Sequence, residues 1–105
     1  MTDLPTLTPE QRAAALQKAA LVRRERSQLL GELKSRQRSL PDVLRSTSDV
    51  VGKTKVRQLL EAIPGVGKVR AAQVMEELAI PEGRRVQGLG PRQRESILRR
   101  FPAAA

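Results

Sequence analysis

The chain has no cysteine and no histidine. That removes disulfides, thiol nucleophiles, Cys- or His-based metal sites and imidazole acid–base catalysis together. Trp and Tyr are missing as well, and Phe101 is the single aromatic residue. One ring gives no platform on which successive bases of a single strand can stack. No apolar run approaches the roughly 20 residues that a membrane span needs. The N-terminus lacks a basic segment followed by an apolar one, so no signal peptide is expected and the expected location is the cytoplasm. Acidic residues are few: 11 Asp and Glu stand against 20 Lys and Arg, a formal net charge of +9 over 105 residues. A basic excess of this size points to nucleic acid or an anionic surface. With base stacking excluded, a duplex or a folded backbone is the better partner. The length suits one small domain.

What is present reads as helix. No stretch alternates with period two, no hairpin turn occurs, and no internal repeat or low-complexity segment is found. Residues 1–7 read as a flexible tail. Thr8-Pro9-Glu10-Gln11 opens a helix, with Thr8 as cap, Pro9 at the first helical position and Gln11 completing a capping box. Helix-forming residues then continue to about Arg38. The middle of that helix, Arg23-Arg24-Glu25-Arg26-Ser27-Gln28, has no apolar face. Such a helix projects from the core or touches something else. Ser39-Leu40-Pro41-Asp42 caps a short helix to about Arg45, residues 46–49 read as loop, and Gly52 as a break.

Residues 54–62 form the next helix, with Val56, Leu59, Leu60 and Ile63 at core spacing. Pro64-Gly65 ends it. A helix over residues 67–79 follows, its inward face read as Val69, Ala72, Met75, Leu78 and Ala79. Residues 82–90 are a basic loop. Pro91 opens a last helix to Phe101, with Ile97, Leu98 and Phe101 inward, and residues 102–105 are a frayed end. The fold class is all-α: a long N-terminal helix and short helix over residues 8–50, then a compact bundle over residues 51–101.

The first candidate site is Pro64-Gly65-Val66-Gly67-Lys68-Val69-Arg70-Ala71. A Pro-Gly-x-Gly turn that opens a helix presents N–H groups that no helical carbonyl satisfies. Glycine lets a phosphate approach, the helix dipole adds partial positive charge, and Lys68 and Arg70 add full charges. The plainer reading is a helix–helix turn that needs positive φ at its glycines. The second candidate is the basic loop: Gly83, Arg84, Arg85, Gln87 and Gly88, with Arg92 and Arg94 where the last helix opens. Arginines on a loop can enter a minor groove; the plainer reading is a solvated loop. Arg92 and Arg94 oppose the dipole of their own helix, which is eased by an external anion. Val86 and Leu89 are read as anchors of the loop rather than wedges. Lys53, Lys55 and Arg57 are possible additional contacts. The arginine clusters of the long helix, Arg23-Arg24-Arg26 and Arg36-Arg38, read singly as a solvated face and together as a second duplex surface.

Pro64-Gly65-Val66-Gly67-Lys68, the patterned helix behind it, and Arg84-Arg85-Val86-x-Gly88-Leu89 resemble a helix-two-turn-helix module. That module occurs in the S13 family of small-subunit ribosomal proteins and in the formamidopyrimidine DNA glycosylases. The whole chain is more similar to the actinobacterial integration host factor family. The opening Glu10 to Leu16, the segment Val51-Gly52-Lys53-Thr54-Lys55-Val56 and Leu59-Leu60-Glu61 carry that resemblance in order over nearly the full length.

The resemblance implies a nucleoid-associated protein that binds duplex DNA with little sequence preference and deforms it, touching DNA near residues 64–71 and 82–94. Roles in recombination, chromosome topology and regulation come with it. Two positions depart from the family: Gln87 stands where Arg is frequent, and Thr54 where Met is usual. The expected partner is therefore double-stranded DNA, the free protein is expected to be a monomer in solution, and no cofactor, metal, membrane or small-molecule substrate is expected. The alternative is an RNA- or ribosome-binding protein of the S13-like type, although the chain ends in Phe101-Pro102 and three Ala rather than a basic tail. An enzyme of the glycosylase type lacks its parts here: no Cys or His for zinc, no room for a second domain, and Pro5 is not N-terminal. Glu61, Glu76 and Glu77 read as helix-surface charges.

Overall fold

A computed structural model describes residues 6–102. The flexible tail expected over residues 1–7 and the frayed end over residues 102–105 therefore fall largely outside the described residues. The order is α1 (Pro9–Lys34), α2 (Leu40–Arg45), α3 (Asp49–Lys53), α4 (Val56–Ala62), α5 (Gly67–Glu77), a 3-10 turn (Val86–Gly88) and α6 (Pro91–Arg100). Among the described residues there is no strand, only an isolated antiparallel bridge between Lys55 and Arg85.

Thr8 caps α1 as the sequence requires. Its Oγ1 accepts the Gln11 N–H at 3.1 Å, and the Gln11 side chain accepts the Thr8 N–H at 3.0 Å. A helix of 26 residues is about 39 Å long. Its first half finds little to pack on: Leu16 is 65% and Leu21 53% exposed, whereas Leu29 and Leu33 are buried. The molecule is accordingly elongated, 54 × 31 × 25 Å, with a radius of gyration of 16.6 Å; about 13 Å is usual for this length.

α1 ends at Lys34, four residues earlier than expected. Arg36 takes the left-handed conformation, φ 65°, and the Gln37 N–H closes on the Glu32 carbonyl at 2.9 Å. The residues from Ser35 to Arg38 permit a helix. The chain turns there because Leu40, Val43 and Leu44 must reach the core, where all three are buried. Ser39 caps α2, its Oγ accepting the Asp42 N–H at 3.3 Å.

α3 corrects the reading of residues 46–53. Asp49 opens a five-residue helix and Gly52 lies inside it rather than breaking it. Val51 is buried, and the fully buried Thr54 closes the helix by donating its hydroxyl to the Val50 carbonyl at 2.6 Å. Thr54, where the resemblance expects Met, is thus a core position. α4 starts at Val56, because Thr54 and Lys55 belong to the bridge.

α5 is rotated relative to the expected register. Ala71, Val74 and Met75 are buried, with Leu78 packed against them, while Val69 is 74% exposed and Ala72 and Ala79 are exposed. Ala79 is not helical: its φ of 56° ends α5, with the Ile80 N–H on the Met75 carbonyl at 2.8 Å. Ile97 is the buried centre of α6, and Leu98 and Phe101 pack beside it as expected. Val86 and Leu89 are buried too, so they anchor the loop. The core runs from Leu29 to Ile97, so the end of α1 and all of α2 pack with the later helices.

Candidate nucleic-acid interface

The turn between α4 and α5 needs both its glycines: Gly65 has φ 83° and Gly67 φ 70°. A side chain at either position would meet nothing within 4 Å, so the backbone there is open to an approaching group. The Val66 N–H donates to the Ile63 carbonyl at 3.1 Å, which removes it from the set of free donors. No side chain caps α5. The N–H groups of Gly67, Lys68 and Val69 in its first turn have no helical partner. Among the described residues, the Gly65 N–H has none in the turn either. Lys68, Val69 and Arg70 are exposed, and neither cation has an acidic partner among the described residues. Ala71 is fully buried, so it supports this turn from behind and offers no surface.

Lys34 joins the same neighbourhood. It lines a hollow of about 310 Å³ with Gln58, Gly67, Lys68 and Glu61, whose carboxylate is paired with Arg57. The sequence shows Lys34 only as one charge among many on α1. Its place depends on how α1 lies on α4, which no local pattern encodes.

The second basic region is built by the bridge. The Val56 N–H donates to the Arg84 carbonyl and the Val86 N–H to the Thr54 carbonyl, each at 3.0 Å. These two bonds flank Lys55 and Arg85, making them directly opposite residues of a non-hydrogen-bonded antiparallel pair. Side chains so placed share one face, with Cβ atoms about 4.5–5.5 Å apart. Both residues are exposed and neither has an acidic partner among the described residues. Like charges directly opposite are destabilising, so the fold holds together two cations that an anion would relieve. Lys53 is exposed two residues before Lys55, and Gln87 is exposed beside Gly52.

The other arginines of the loop are turned inward. Arg84 Nη1 donates to the Gly88 carbonyl at 2.8 Å and lies 3.4 Å from Gln93 Oε1, and its side chain packs over Gly88. Arg94 Nη1 donates to the Leu44 carbonyl at 2.7 Å and Nη2 to the Val86 carbonyl at 3.3 Å. Arg94 therefore ties α6 to the end of α2 and to the 3-10 turn. Its conflict with the dipole of α6 is answered by two carbonyls of the protein, not by an outside anion. Arg57 is held by Glu61 and Glu82, and Arg100 by Glu77. Arg92 and Arg85 are exposed, and Gly83 has open space beside it. Among the described residues no group of His, Cys, Asp or Glu could hold a metal.

The arrangement can thus receive anions at two places: a glycine turn with free N–H groups beside Lys68 and Arg70, and a paired Lys55 and Arg85. A helical module with such a turn is a known class. A family model described as the S13-like H2TH domain matches residues 33–101. At full length the chain is similar to the integration host factor of Streptomyces coelicolor, 57% identical over 100 residues, covering 93% of this chain and 94% of the relative. The integration host factor of Mycobacterium tuberculosis is 52% identical over 103 residues, covering 96% and 98%. A solved structure described as sIHF bound to an 8 bp palindromic DNA superposes with a TM-score of 0.79 at 52% identity, covering 81% of this chain and 98% of that one. The chain belongs to the actinobacterial integration host factor family. None of its described helices is long and apolar enough to cross a membrane.

Proposed function

We propose that this protein binds duplex DNA with little sequence preference, as a nucleoid-associated architectural protein that bends or compacts the duplex and catalyses nothing. The observation that carries the reading is the pair of unanswered basic sites. A fold that holds Lys55 opposite Arg85, and leaves N–H groups open beside Lys68 and Arg70, is complementary to a row of phosphates. Contacts of that kind fix position and carry little sequence information. The DNA in the solved relative, 52% identical to this chain, supports the same reading. The contact set is Lys34, Lys53, Lys55, Lys68, Arg70, Arg85 and Arg92 for charge. Pro64, Gly65 and Gly67 let the backbone approach, Val69 lies against sugars, and Gln87 gives a neutral hydrogen bond. Arg57, Arg84, Arg94 and Gly88 act from within, by shaping the loop. The protein acts in the nucleoid, with the exposed first half of α1 projecting away from the binding module.

The test is a salt-titrated binding assay against random duplex DNA, duplex RNA and single-stranded DNA. If about six phosphates are neutralised, log K falls against log salt with a slope of about −5 for the duplex DNA. Binding to all DNA duplexes alike, well above the other two ligands, supports the reading. Equal or tighter binding to duplex RNA moves the protein to the ribosomal alternative that the S13-like module keeps open.

A further inference from the structure

Where the end of α1, the start of α2 and the end of α6 meet, they leave an open groove of about 420 Å³. Its floor is apolar: Leu33, Leu40 and Phe101 line it, with Ile63 and Pro64 from the α4–α5 turn. Its rim is basic: Arg36, Arg38 and Arg100 line it, and no acidic residue does. We propose that this groove docks an acidic segment of a partner protein through one or two large apolar side chains. The volume lies at the low end for ligand sites, and the groove is open, which suits the side chains of an extended peptide. The Arg36 guanidinium is free to take a carboxylate beside the apolar anchor, whereas Arg38 and Arg100 already pair with Glu32 and Glu77 and would exchange those partners for the peptide's. A duplex has phosphates for the rim but no protruding apolar side chain to enter the groove.

Arg36 is the second observation. It stands in the left-handed conformation at the end of α1, φ 65°, where glycine fits without strain. Its side chain is exposed and makes no hydrogen bond or ion pair within the described residues. The residue destabilises the free protein and gains nothing inside it, which points to a role outside. Arg38 is only loosely held, 3.8 Å from Glu32. Phe101, the chain's single aromatic residue, is partly buried and gives the groove its ring. The groove shares Pro64 with the DNA contact set but none of the cations assigned to the phosphates.

The experiment uses the full chain and a fluorescein-labelled octapeptide, Gly-Glu-Asp-Leu-Phe-Asp-Glu-Gly, followed by anisotropy and by amide NMR shifts. Two control peptides replace the acids by Gln or the Leu-Phe pair by Ser-Ser. The expected result is saturable binding that each control weakens at least about fivefold, the size of one or more ion contacts or a buried side chain. Shifts should centre on Leu33, Arg36, Leu40 and Phe101. Arg36→Gly should raise the melting temperature, weaken the peptide about fivefold, and leave duplex DNA affinity within about twofold. Ala79→Gly, at the other left-handed position, should raise the melting temperature and leave the peptide alone. No binding, or binding that keeps its strength without Leu-Phe, overturns the proposal, the latter because mere charge attraction would then explain it. Shifts centred on Lys68 and Arg85 overturn it too, as does an equal loss of duplex affinity in Arg36→Gly, which would make the groove part of the nucleic-acid surface.

Discussion

The α4–α5 turn and the loop before α6 both look basic in sequence, yet they handle their charge in opposite ways. At the turn, Lys68 and Arg70 are exposed and the N–H groups beside them are open. In the loop, Arg84 and Arg94 are committed to the carbonyls of Gly88, Leu44 and Val86, so Arg85 and Arg92 are the charges without a partner among the described residues. The difference teaches that nearness of arginines in sequence does not measure charge offered to a ligand. The first turn of α5, where Lys68 and Arg70 sit, gives its carbonyls to the helix and leaves none for a guanidinium. A loop held by a single bridge has unsatisfied carbonyls, and arginine is the side chain with donors enough to serve several at once.

Removing Arg94 should separate the two regions most sharply. Arg94→Ala leaves two carbonyls without their charged donor, and stability should fall by about 2–3 kcal/mol. For a chain of this size that lowers the melting temperature by roughly 10–20 °C. Urea denaturation checks it, and duplex affinity at low temperature, where the variant is folded, should change little. An undiminished stability together with a large loss of affinity would place Arg94 on the DNA instead.

The converse experiment is at the turn. Lys68→Ala with Arg70→Ala should leave stability within about 0.5 kcal/mol, as for exposed sites generally. Duplex affinity should drop about thirtyfold at low salt, equivalent to about 2 kcal/mol. If the double variant unfolds, the turn is structural first.

Lys55→Met tests the bridge. Relieving the like-charge pair should stabilise the free protein by a few tenths of a kcal/mol, while duplex affinity falls about fivefold. Stability and binding moving in opposite directions is the signature of a charge pair kept for a ligand; a fall in both would make Lys55 an ordinary packing residue. Smallest of all, Ala79→Gly should stabilise by about 0.5–1 kcal/mol through its left-handed backbone and leave affinity unchanged. Thermal denaturation reads that change.

Much of the fold is legible because local signals agree. The Thr8 and Ser39 caps, Pro91 and the apolar spacing of α4 and α6 all mark where the helices lie. The rest depends on packing. α3 hides in Ser-Thr-Ser-Asp and a glycine, and at five residues it is too short to show a period. The face of α5 is ambiguous because Val69, Ala71, Ala72 and Val74 offer two apolar stripes; Ala71 is the one that fits against α4, and Val69 faces out. α1 stops at Lys34 without any breaker, since burial of Leu40 decides it. At the candidate site, the glycine turn is legible because positive φ requires glycine. The pairing of Lys55 with Arg85 joins residues 30 apart through backbone bonds that carry no side-chain signature, and the inward turn of Arg84 and Arg94 is equally invisible in the chain.

Lys68 and Arg70 at the turn are the cations proposed to neutralise phosphates. The direct measurement is the salt dependence of duplex affinity for the natural chain and for the Lys68→Ala, Arg70→Ala double variant. Two phosphate contacts fewer should make the slope of log K against log salt shallower by about 2. An unchanged slope, with affinity lost or kept, would contradict the assignment of those cations to the DNA backbone.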